Sequence, residues 1–279
     1  MRMLEPIRAL RERWDHLDLA LRARAARALL PRRWVFSRGL RFTLQCENWI
    51  TQYRWQTYNT KEPETLDCID RWLRDGDTFF DVGANIGVYA IYAALRHPGA
   101  RIVAFEPESA NLHLLRDNVV QNHLEERVQV YSTALGRRTG ITTLHLQDFT
   151  PGAALHTVSR KALSQTCERR PVIWRQGICE MTMDDFCRET GLVPNCVKID
   201  VDGTEVDVLE GGAKTFASTA LRAVVIEVSA EAEERRLCER RLAEAGLVCA
   251  WKDSKEQRHN QVWIRENGIP QTSRGANPS

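Results

Sequence analysis

The chain has 279 residues, 43% of them hydrophobic and 27% charged, which is ordinary for a globular protein of one large domain or two. No apolar run approaches the ~18 residues that a transmembrane helix requires. Arg and Glu interrupt the first positions, where a secretory signal would be apolar. None of the eight cysteines forms a C-x-x-C pair, so no zinc site is predicted, and we expect reduced thiols in a cytoplasmic protein.

The net charge of +2 is unevenly distributed, because the first 60 residues hold twelve arginines against five acidic residues. An apolar stripe with spacings of three and four comprises Ile7, Leu10, Trp14, Leu17 and Leu21. This stripe predicts an amphipathic helix over residues 7–21, and we assign residues 1–60 to that helix and an aromatic-rich extension. The helix suits self-association or peripheral contact with the inner face of the membrane, with a solvated arginine face as the alternative.

From Lys61 onwards, segments typical of strands and helices alternate. "KEPETLDCIDRWL" predicts a helix with Pro63 in its first turn, and "TFFDV" predicts a buried strand. "GVYAIYAALRH" is helical, "RIVAF" is a strand, and "SANLHLLRDNVVQNH" is a helix with Ser109 as its N-cap. "VQVYSTAL" then predicts a single third strand.

The second half begins with an irregular insert that has hairpin character and reaches to about residue 180. "CVKID" follows as a fourth strand, residues 204–217 as one helix, "RAVVIEV" as a fifth strand, and residues 230–245 as a charged helix. "LVCAW" and "QVWIR" predict a closing antiparallel pair. The polar residues 266–279 are predicted to be a disordered tail.

This order is typical of an α/β protein with a doubly wound, mostly parallel sheet. We predict a Rossmann-like fold with seven strands, of which the last is antiparallel, in a domain spanning residues 61–265. Ligands of such sheets bind beyond the carboxyl ends of the strands. The residues that follow each strand are therefore the candidates for a site.

The first motif, Asp81 to Gly87 ("DVGANIG"), follows a strand and opens a helix. Its glycines allow a cofactor to approach the backbone, and the helix N-terminus presents free N–H groups. Glu106 ends the next strand, 19 positions after Gly87, where an acid can accept the hydrogens of both ribose hydroxyls. Together these features indicate a nucleoside-containing cofactor; a tight turn beside a chance acid is the structural alternative.

The motif departs from the dinucleotide pattern G-x-G-x-x-G. A match beginning at Gly83 would need glycines at positions 85 and 88, where the chain has Asn85 and Val88. Asp81, at the end of the strand, instead suits a cationic amino group such as that of S-adenosylmethionine. An NAD-dependent oxidoreductase is the less favoured alternative.

The second motif runs from Val197 to Glu205 ("VKIDVDGTE"). Lys198 and Asp200 share one face of the strand, and a lysine buried in a central strand is costly unless it is paired. We expect Asp200 at the carboxyl end of the strand. Thr204 is a candidate cap of the following helix, and Glu205 lies in its first turn, where the helix dipole favours an acid.

The segments "DVGANIG", "AFEP", "TMDDF" and "KIDVDGTEVDVLEGG" resemble the FkbM family of methyltransferases, from about Lys61 to Ile264. "KEPETLD" and "GAALHTV" resemble a bacterial branch of that family. The resemblance implies the class I methyltransferase fold and O-methylation with S-adenosylmethionine, often of sugars in glycans or natural products. The implied cofactor-binding residues are Asp81, Gly83, Asn85, Gly87, Glu106, Glu62 and Ala134.

The resemblance places Asp200 at the reaction centre with its neighbour Lys198. Asp200 is the first candidate for positioning the acceptor hydroxyl or removing its proton, and His156 is the second. The family often has Glu at the position of Asp202. The expected partner is a small-molecule or glycan acceptor, and nucleic acid is not a predicted partner.

Two alternatives to direct methyl transfer remain open. One is metal-assisted O-methylation, in which Asp200, Asp202 and Glu227 would supply oxygen ligands to a hard cation such as magnesium. The other is a catalytically idle nucleotide-binding scaffold that acts through its amphipathic N-terminus.

Overall fold

The structure is a computed structural model that describes residues 18–21, 23–24, 31–158, 171–253 and 259–266. The predicted disordered tail lies outside these residues except for its first position, and so does most of the predicted helix over 7–21. Of that helix, residues 18–21 are described, and they are helical and exposed. No helix in the described ranges is long and apolar enough to cross a membrane.

An antiparallel hairpin of β1 (Arg32–Ser37) and β2 (Leu40–Gln45) leads into α1 (Trp49–Lys61). Asn48 caps α1, since its side chain accepts hydrogen bonds from two first-turn N–H groups. Phe42 of the hairpin and Tyr58 of α1 are buried in one apolar cluster. The same cluster contains residues 88–94, which follow the glycine motif. Residues 31–61 thus pack against the helices that cover one face of the main sheet.

A seven-stranded sheet forms the centre of the molecule, in the order β11-β12-β10-β9-β3-β4-β5. Its strands are β3 (Thr78–Val82), β4 (Arg101–Phe105), β5 (Val128–Tyr131), β9 (Cys196–Ile199), β10 (Ala223–Glu227), β11 (Val248–Lys252) and β12 (Asn260–Ile264). β12 runs antiparallel to both of its neighbours. The prediction of a mostly parallel, Rossmann-like sheet with an antiparallel last strand is confirmed.

Helices cover both faces of this sheet, and each face has its own apolar cluster. The face shared with the hairpin carries α2 (Pro63–Trp72), α3 (Val88–Arg96) and α4 (Ser109–Gln121). The opposite face carries α5 (Met183–Thr190), α6 (Glu205–Gly211), α7 (Ala213–Ala217) and α8 (Ala232–Glu244). Each fully buried large apolar side chain in these clusters contributes about 1.5–3 kcal/mol relative to exposure.

The prediction of one strand over "VQVYSTAL" is wrong, because the chain leaves the main sheet at Ser132. The residues after that break form β6 (Thr133–Leu135), which joins a separate three-stranded sheet with β7 (Gly140–Leu146) and β8 (Trp174–Met181). β8 pairs in parallel with β6 and antiparallel with β7. The insert is therefore built around an ordered sheet, which stands beside the carboxyl edge of the main one.

Two helix boundaries also differ from the predictions. The N-cap of α4 is Glu108, not Ser109, because the Glu108 carboxylate accepts hydrogen bonds from the N–H groups of residues 110 and 111. The helix predicted over 204–217 is two short helices that meet at Gly212. Thr204 stands at the N-cap position of α6 without a capping hydrogen bond from its side chain, while Glu205 lies in the first turn as predicted.

Candidate active site

The glycine motif forms a tight loop between β3 and α3. Gly83, Asn85 and Gly87 all have positive φ angles, of 80°, 51° and 83°. A side chain at Gly83 would collide with the backbone carbonyl oxygen of Asp200, so only glycine permits the loop to lie against the end of β9. The loop thus brings the first and second motifs into direct contact.

Glu106 lies directly beside this loop, at the end of β4. Its Oε2 accepts a hydrogen bond from the N–H of Asn85 and its Oε1 one from the N–H of Glu108, both at 2.8 Å. Burial raises the pKa of Glu106 to about 8, although these two N–H groups oppose the shift. The spacing argument therefore placed the acid correctly next to the glycine loop.

A first cavity of about 570 Å³ opens over the loop. The predicted residues that line it are Gly83, Asn85, Glu106, Ala134, His156 and Asp200. Burial lowers the pKa of His156, which favours its neutral form, and its Nδ1 is buried with no hydrogen-bond partner in the described part of the chain.

A second cavity of about 390 Å³ lies on the other side of the loop and shares Gly83, Asn85 and Asp200 with the first. Glu62 and Lys198 line it. Gly87 lines neither cavity: a side chain there would collide with Leu115 of α4, so this glycine serves helix packing.

Lys198 and Asp200 form the ion pair that their shared strand face predicts. The Lys198 Nζ is 3.0 Å from Asp200 Oδ2 and 5.1 Å from the centre of the Tyr89 ring, and the lysine is only 3% exposed. Burial alone would raise the pKa of Asp200, but Lys198 and Lys61 hold it well below its usual range. Asp200 is therefore a fixed anion at neutral pH.

The structure changes the set of carboxylates that could bind one metal ion together. Oxygen atoms of Glu62, Asp200 and Glu227 all lie within 4.8 Å of one another, whereas Asp202 does not belong to this group. Asp202 instead accepts a hydrogen bond from the N–H of Leu155 at 2.7 Å. The Asp200 charge, together with burial, raises the pKa of Glu227 to about 9, so Glu227 holds a proton at neutral pH.

Residues 150–156, here called the strap, cross the site between the two motifs and α1. Its hydrogen-bond partners are the side chains of Asn48, Arg54, Asn85, Asn111 and Asp202, at 2.7–3.1 Å. The partners come from both motifs, α4 and the start and middle of α1. The strap therefore ties the N-terminal segment to the glycine loop.

Asp81 lies underneath the loop, fully buried in β3 and next to Lys198 in the adjacent strand. Neither carboxylate oxygen has a hydrogen-bond partner of good geometry among the described residues. Burial raises the pKa of Asp81 to about 6, against the lowering effect of Lys198. Asp81 lines neither cavity, so the charge of the neighbouring Lys198, rather than a ligand, compensates this buried acid.

Sequence reasoning missed several residues of the site: Arg54, Thr57, Tyr58 and Lys61 of α1, and Asn111 of α4. α1 carries no recognisable motif, and its contribution arises only from its packing beside the loop. Lys61 is the first residue of the "KEPETLD" segment, and that segment is the signal that could have identified it.

Comparison with known proteins identifies the family. The family model of the FkbM methyltransferase domain matches residues 81–259. The chain belongs to the FkbM methyltransferase family. This match contains both motifs, Glu106 and the strap. It begins after α1 and α2.

Two curated relatives are similar to about half of this FkbM-family chain. The 31-O-demethyl-FK506 methyltransferase FkbM of Streptomyces tacrolimicus is 30% identical over 56% of this chain and 66% of its own length. The 2-O-methyltransferase NoeI of Sinorhizobium fredii is 28% identical over 50% of this chain and 58% of its own length. The matched part thus spans less than two thirds of either relative. Among solved structures, methyltransferase FkbM of Methylobacillus flagellatus has a TM-score of 0.49 at 13% identity, covering 78% of this chain and 55% of that one.

Proposed function

We propose that this FkbM-family protein transfers a methyl group from S-adenosylmethionine to a hydroxyl oxygen of a sugar, glycan or natural product. The observation that carries the proposal is the glycine loop with buried Glu106 on one side and the Lys198–Asp200 pair on the other. Both compared relatives are named for methylation at an oxygen, which supports a hydroxyl acceptor.

The residues fit this cofactor in two respects. Gly83 and Asn85 of the loop line both cavities, and Glu106 retains acceptor capacity for ribose hydroxyls. When bound, the cofactor supplies a methyl group that its sulfonium has already activated. The chain therefore mainly has to align an oxygen, and orientation accounts for roughly 7–11 kcal/mol of a barrier.

Asp200 is the residue that aligns the acceptor in this proposal. Its depressed pKa makes it a weak base at neutral pH but a permanent hydrogen-bond acceptor for a hydroxyl. Lys198 fixes one of its oxygens at 3.0 Å and so sets its orientation. His156, neutral and with a free Nδ1 within the described structure, is the second candidate to receive the hydroxyl proton.

The test is transfer of a labelled methyl group from S-adenosylmethionine to nucleotide sugars, cell-surface glycans and hydroxylated natural products. We expect an O-linked methyl product from one of these classes and direct binding of S-adenosylhomocysteine. Tight NADH binding with no response to S-adenosylhomocysteine would refute the proposal. Binding of neither cofactor would favour the idle scaffold.

A metal-assisted form of the same reaction is the second candidate, and the Glu62–Asp200–Glu227 group is the observation in its favour. Lys61 and Lys198 already pair with Glu62 and Asp200, at 2.8 and 3.0 Å. This balance leaves little charge for a divalent cation, so we favour direct transfer. Inhibition by a chelator that magnesium reverses would establish the metal-assisted form.

A further inference from the structure

The hairpin of β1 and β2 exposes two large aromatic side chains on its outward side. Val35 and Ser37 of β1 are buried, whereas Trp34 and Phe36 are 54% and 67% exposed. Alternate side chains of a strand point to opposite sides, so Trp34 and Phe36 share the side that faces away from the core. Their ring centres lie 6.5 Å apart. A group of exposed large apolar side chains indicates an interaction surface.

Arginines flank this aromatic pair. Arg32 lies on the same side of β1, and Arg41 of β2 stands directly opposite Phe36. The guanidinium carbon of Arg41 is 5.7 Å from the centre of the Trp34 ring. β1 and β2 contain no acidic residue, and neither arginine forms an ion pair within the described part of the chain. The hairpin face, as we call Arg32, Trp34, Phe36 and Arg41, therefore combines apolar surface with uncompensated positive charge.

This charge selects the class of partner. A second copy of the chain, docked through the same face, would place arginines against arginines, and like charges repel. An anionic partner is therefore favoured. Leu19 and Leu21, which precede the hairpin, are 59% and 56% exposed, and Leu21 belongs to the apolar stripe predicted over residues 7–21. Aliphatic side chains suit the acyl region of a bilayer and find no such region on a nucleic acid, so an anionic lipid surface fits best.

We propose that the hairpin face docks onto an anionic lipid bilayer. Trp34 and Phe36 enter the boundary between headgroups and acyl chains, and Arg32 and Arg41 contact the lipid phosphates. The hairpin face belongs to the folded part of the molecule, so it is a second contact in addition to the one expected from the helix predicted over residues 7–21.

α1 fixes this surface relative to the candidate active site. Trp55 Nε1 donates a hydrogen bond to the Trp34 carbonyl oxygen at 2.8 Å, and Asn59 Nδ2 donates one to the Phe36 carbonyl oxygen at 3.0 Å. The same helix lines the second cavity with Arg54. Docking through the hairpin face would therefore hold that cavity at a fixed distance from the lipid surface.

Flotation of the whole chain with vesicles of equal parts phosphatidylglycerol and phosphatidylcholine tests the proposal. Arg32→Gln and Arg41→Gln together should weaken vesicle binding by about 10- to 30-fold, because each arginine near an anionic surface strengthens binding about fivefold. High salt should abolish this difference from the wild type. Trp34→Thr and Phe36→Thr together should weaken binding at least about tenfold at low and high salt alike, since burial of apolar surface is not screened. Threonine retains the preference for a strand, and thermal unfolding verifies that each variant folds.

The matched controls are Trp174→Thr and Arg175→Gln, because these two exposed residues are neighbours in β8 of the separate three-stranded sheet. Both controls should bind vesicles as the wild type does. Equal loss in controls and hairpin variants, or no vesicle binding by the wild type, would overturn the inference. So would unchanged binding in the hairpin variants; if deletion of residues 1–30 then abolished binding, the predicted helix alone would be the contact. If the aromatic variant does not fold, the arginine variant still decides the question.

Two further measurements identify a different partner. Sedimentation follows self-association, and a fluorescent single-stranded oligonucleotide reports nucleic-acid binding. Hairpin variants that lose either property while their vesicle affinity is unchanged would overturn the inference, and would assign the hairpin face to a second copy or to nucleic acid. We expect the hairpin variants to change neither property.

Discussion

The carboxyl edge of the main sheet has two halves that work in different ways. At β3 and β4, Gly83 and Glu106 shape the site through backbone conformation and backbone N–H groups. At β9 and β10, Lys198, Asp200 and Glu227 act through side-chain charge. Under the proposed function, the first half would hold the cofactor and the second would align the acceptor. The two roles should then be separable by mutation, although the two halves are in contact.

The largest effect is expected from Gly83→Ala. Its methyl group would collide with the Asp200 carbonyl, and the positive φ adds strain, so we expect about 2–5 kcal/mol of destabilisation and loss of S-adenosylhomocysteine binding. Gly39→Ala is the control, because Gly39 has φ +82° and no atom within 4 Å of the added carbon. Denaturant unfolding and calorimetry measure both; equal behaviour of the two variants would contradict the proposed contact.

Substitution of Asp200 should separate the two halves most clearly. Asp200→Ala should lower kcat by about 10³-fold, while S-adenosylhomocysteine affinity falls far less. If Asp200 only orients the hydroxyl, Asp200→Asn should retain part of the turnover; if it is the base, both variants should be inactive. Asp207→Asn is the matched control, because Asp207 lies on α6 and pairs with Arg137 outside both cavities. Wild-type turnover in Asp200→Ala would move the reaction centre to His156.

Glu106 predicts a smaller, pH-dependent effect on the cofactor half. Since burial raises its pKa to about 8, the carboxyl is largely protonated at pH 7, and ribose hydroxyls donate best to the ionised form. Affinity for S-adenosylhomocysteine should therefore increase about tenfold between pH 7 and 9. Glu106→Gln should remove this increase while retaining the ligand's own titration. If the affinity still increases between pH 7 and 9 in Glu106→Gln, a group other than Glu106 causes the increase.

The same shift has the opposite sign for stability. The folded state holds the Glu106 proton more tightly than the unfolded chain, whose pKa is near 4.5. This contribution to the free energy of unfolding is complete below about pH 4.5 and is lost as the pH rises through about 8. Ligand binding and stability should therefore respond to pH in opposite directions, and Glu106→Gln should reduce both responses.

The smallest effect on either half is expected from deletion of residues 1–30. The structure builds both cavities from later residues, so S-adenosylhomocysteine affinity should change less than about twofold. The deletion should instead alter oligomer mass or binding to anionic vesicles, as the apolar stripe and the surrounding arginines predict. Sedimentation and vesicle flotation measure these properties. If neither changes, the segment serves neither assembly nor membrane contact.

The sequence predicted the main sheet and the position of Glu106 beside the glycine loop well, because both rest on local patterns. Continuous apolar strands and a glycine loop with an acid at fixed spacing are visible in single segments. The break at Ser132 was not visible, since strand-forming residues stand on both sides of it and only pairing with β8 separates the strands. Ser109 failed as the N-cap because Glu108, one position earlier, has the longer side chain that reaches the same N–H groups.

The rest of the site depends on tertiary contacts that no local pattern encodes. Arg54 lies in a helix without a motif, and its place at the second cavity follows from the hydrogen bond to Gly152, 98 positions away. Likewise, the metal-assisted alternative takes Asp202 as a ligand because Asp200, Asp202 and Glu227 follow neighbouring strands. The Asp202 carboxylate turns instead to Leu155, and Glu62, far away in sequence, takes the place beside Asp200 and Glu227.

The strap has a kinetic consequence. Six hydrogen bonds from five side chains hold residues 151–155 beside the first cavity, which Ala153 lines. Under the proposed function, exchange of the cofactor would require several of these bonds to open together. Such a closure excludes water during methyl transfer but slows departure of the demethylated cofactor. We therefore expect product release, rather than the chemical step, to limit the turnover rate: a burst of one methylated product per enzyme molecule should precede a slower steady state.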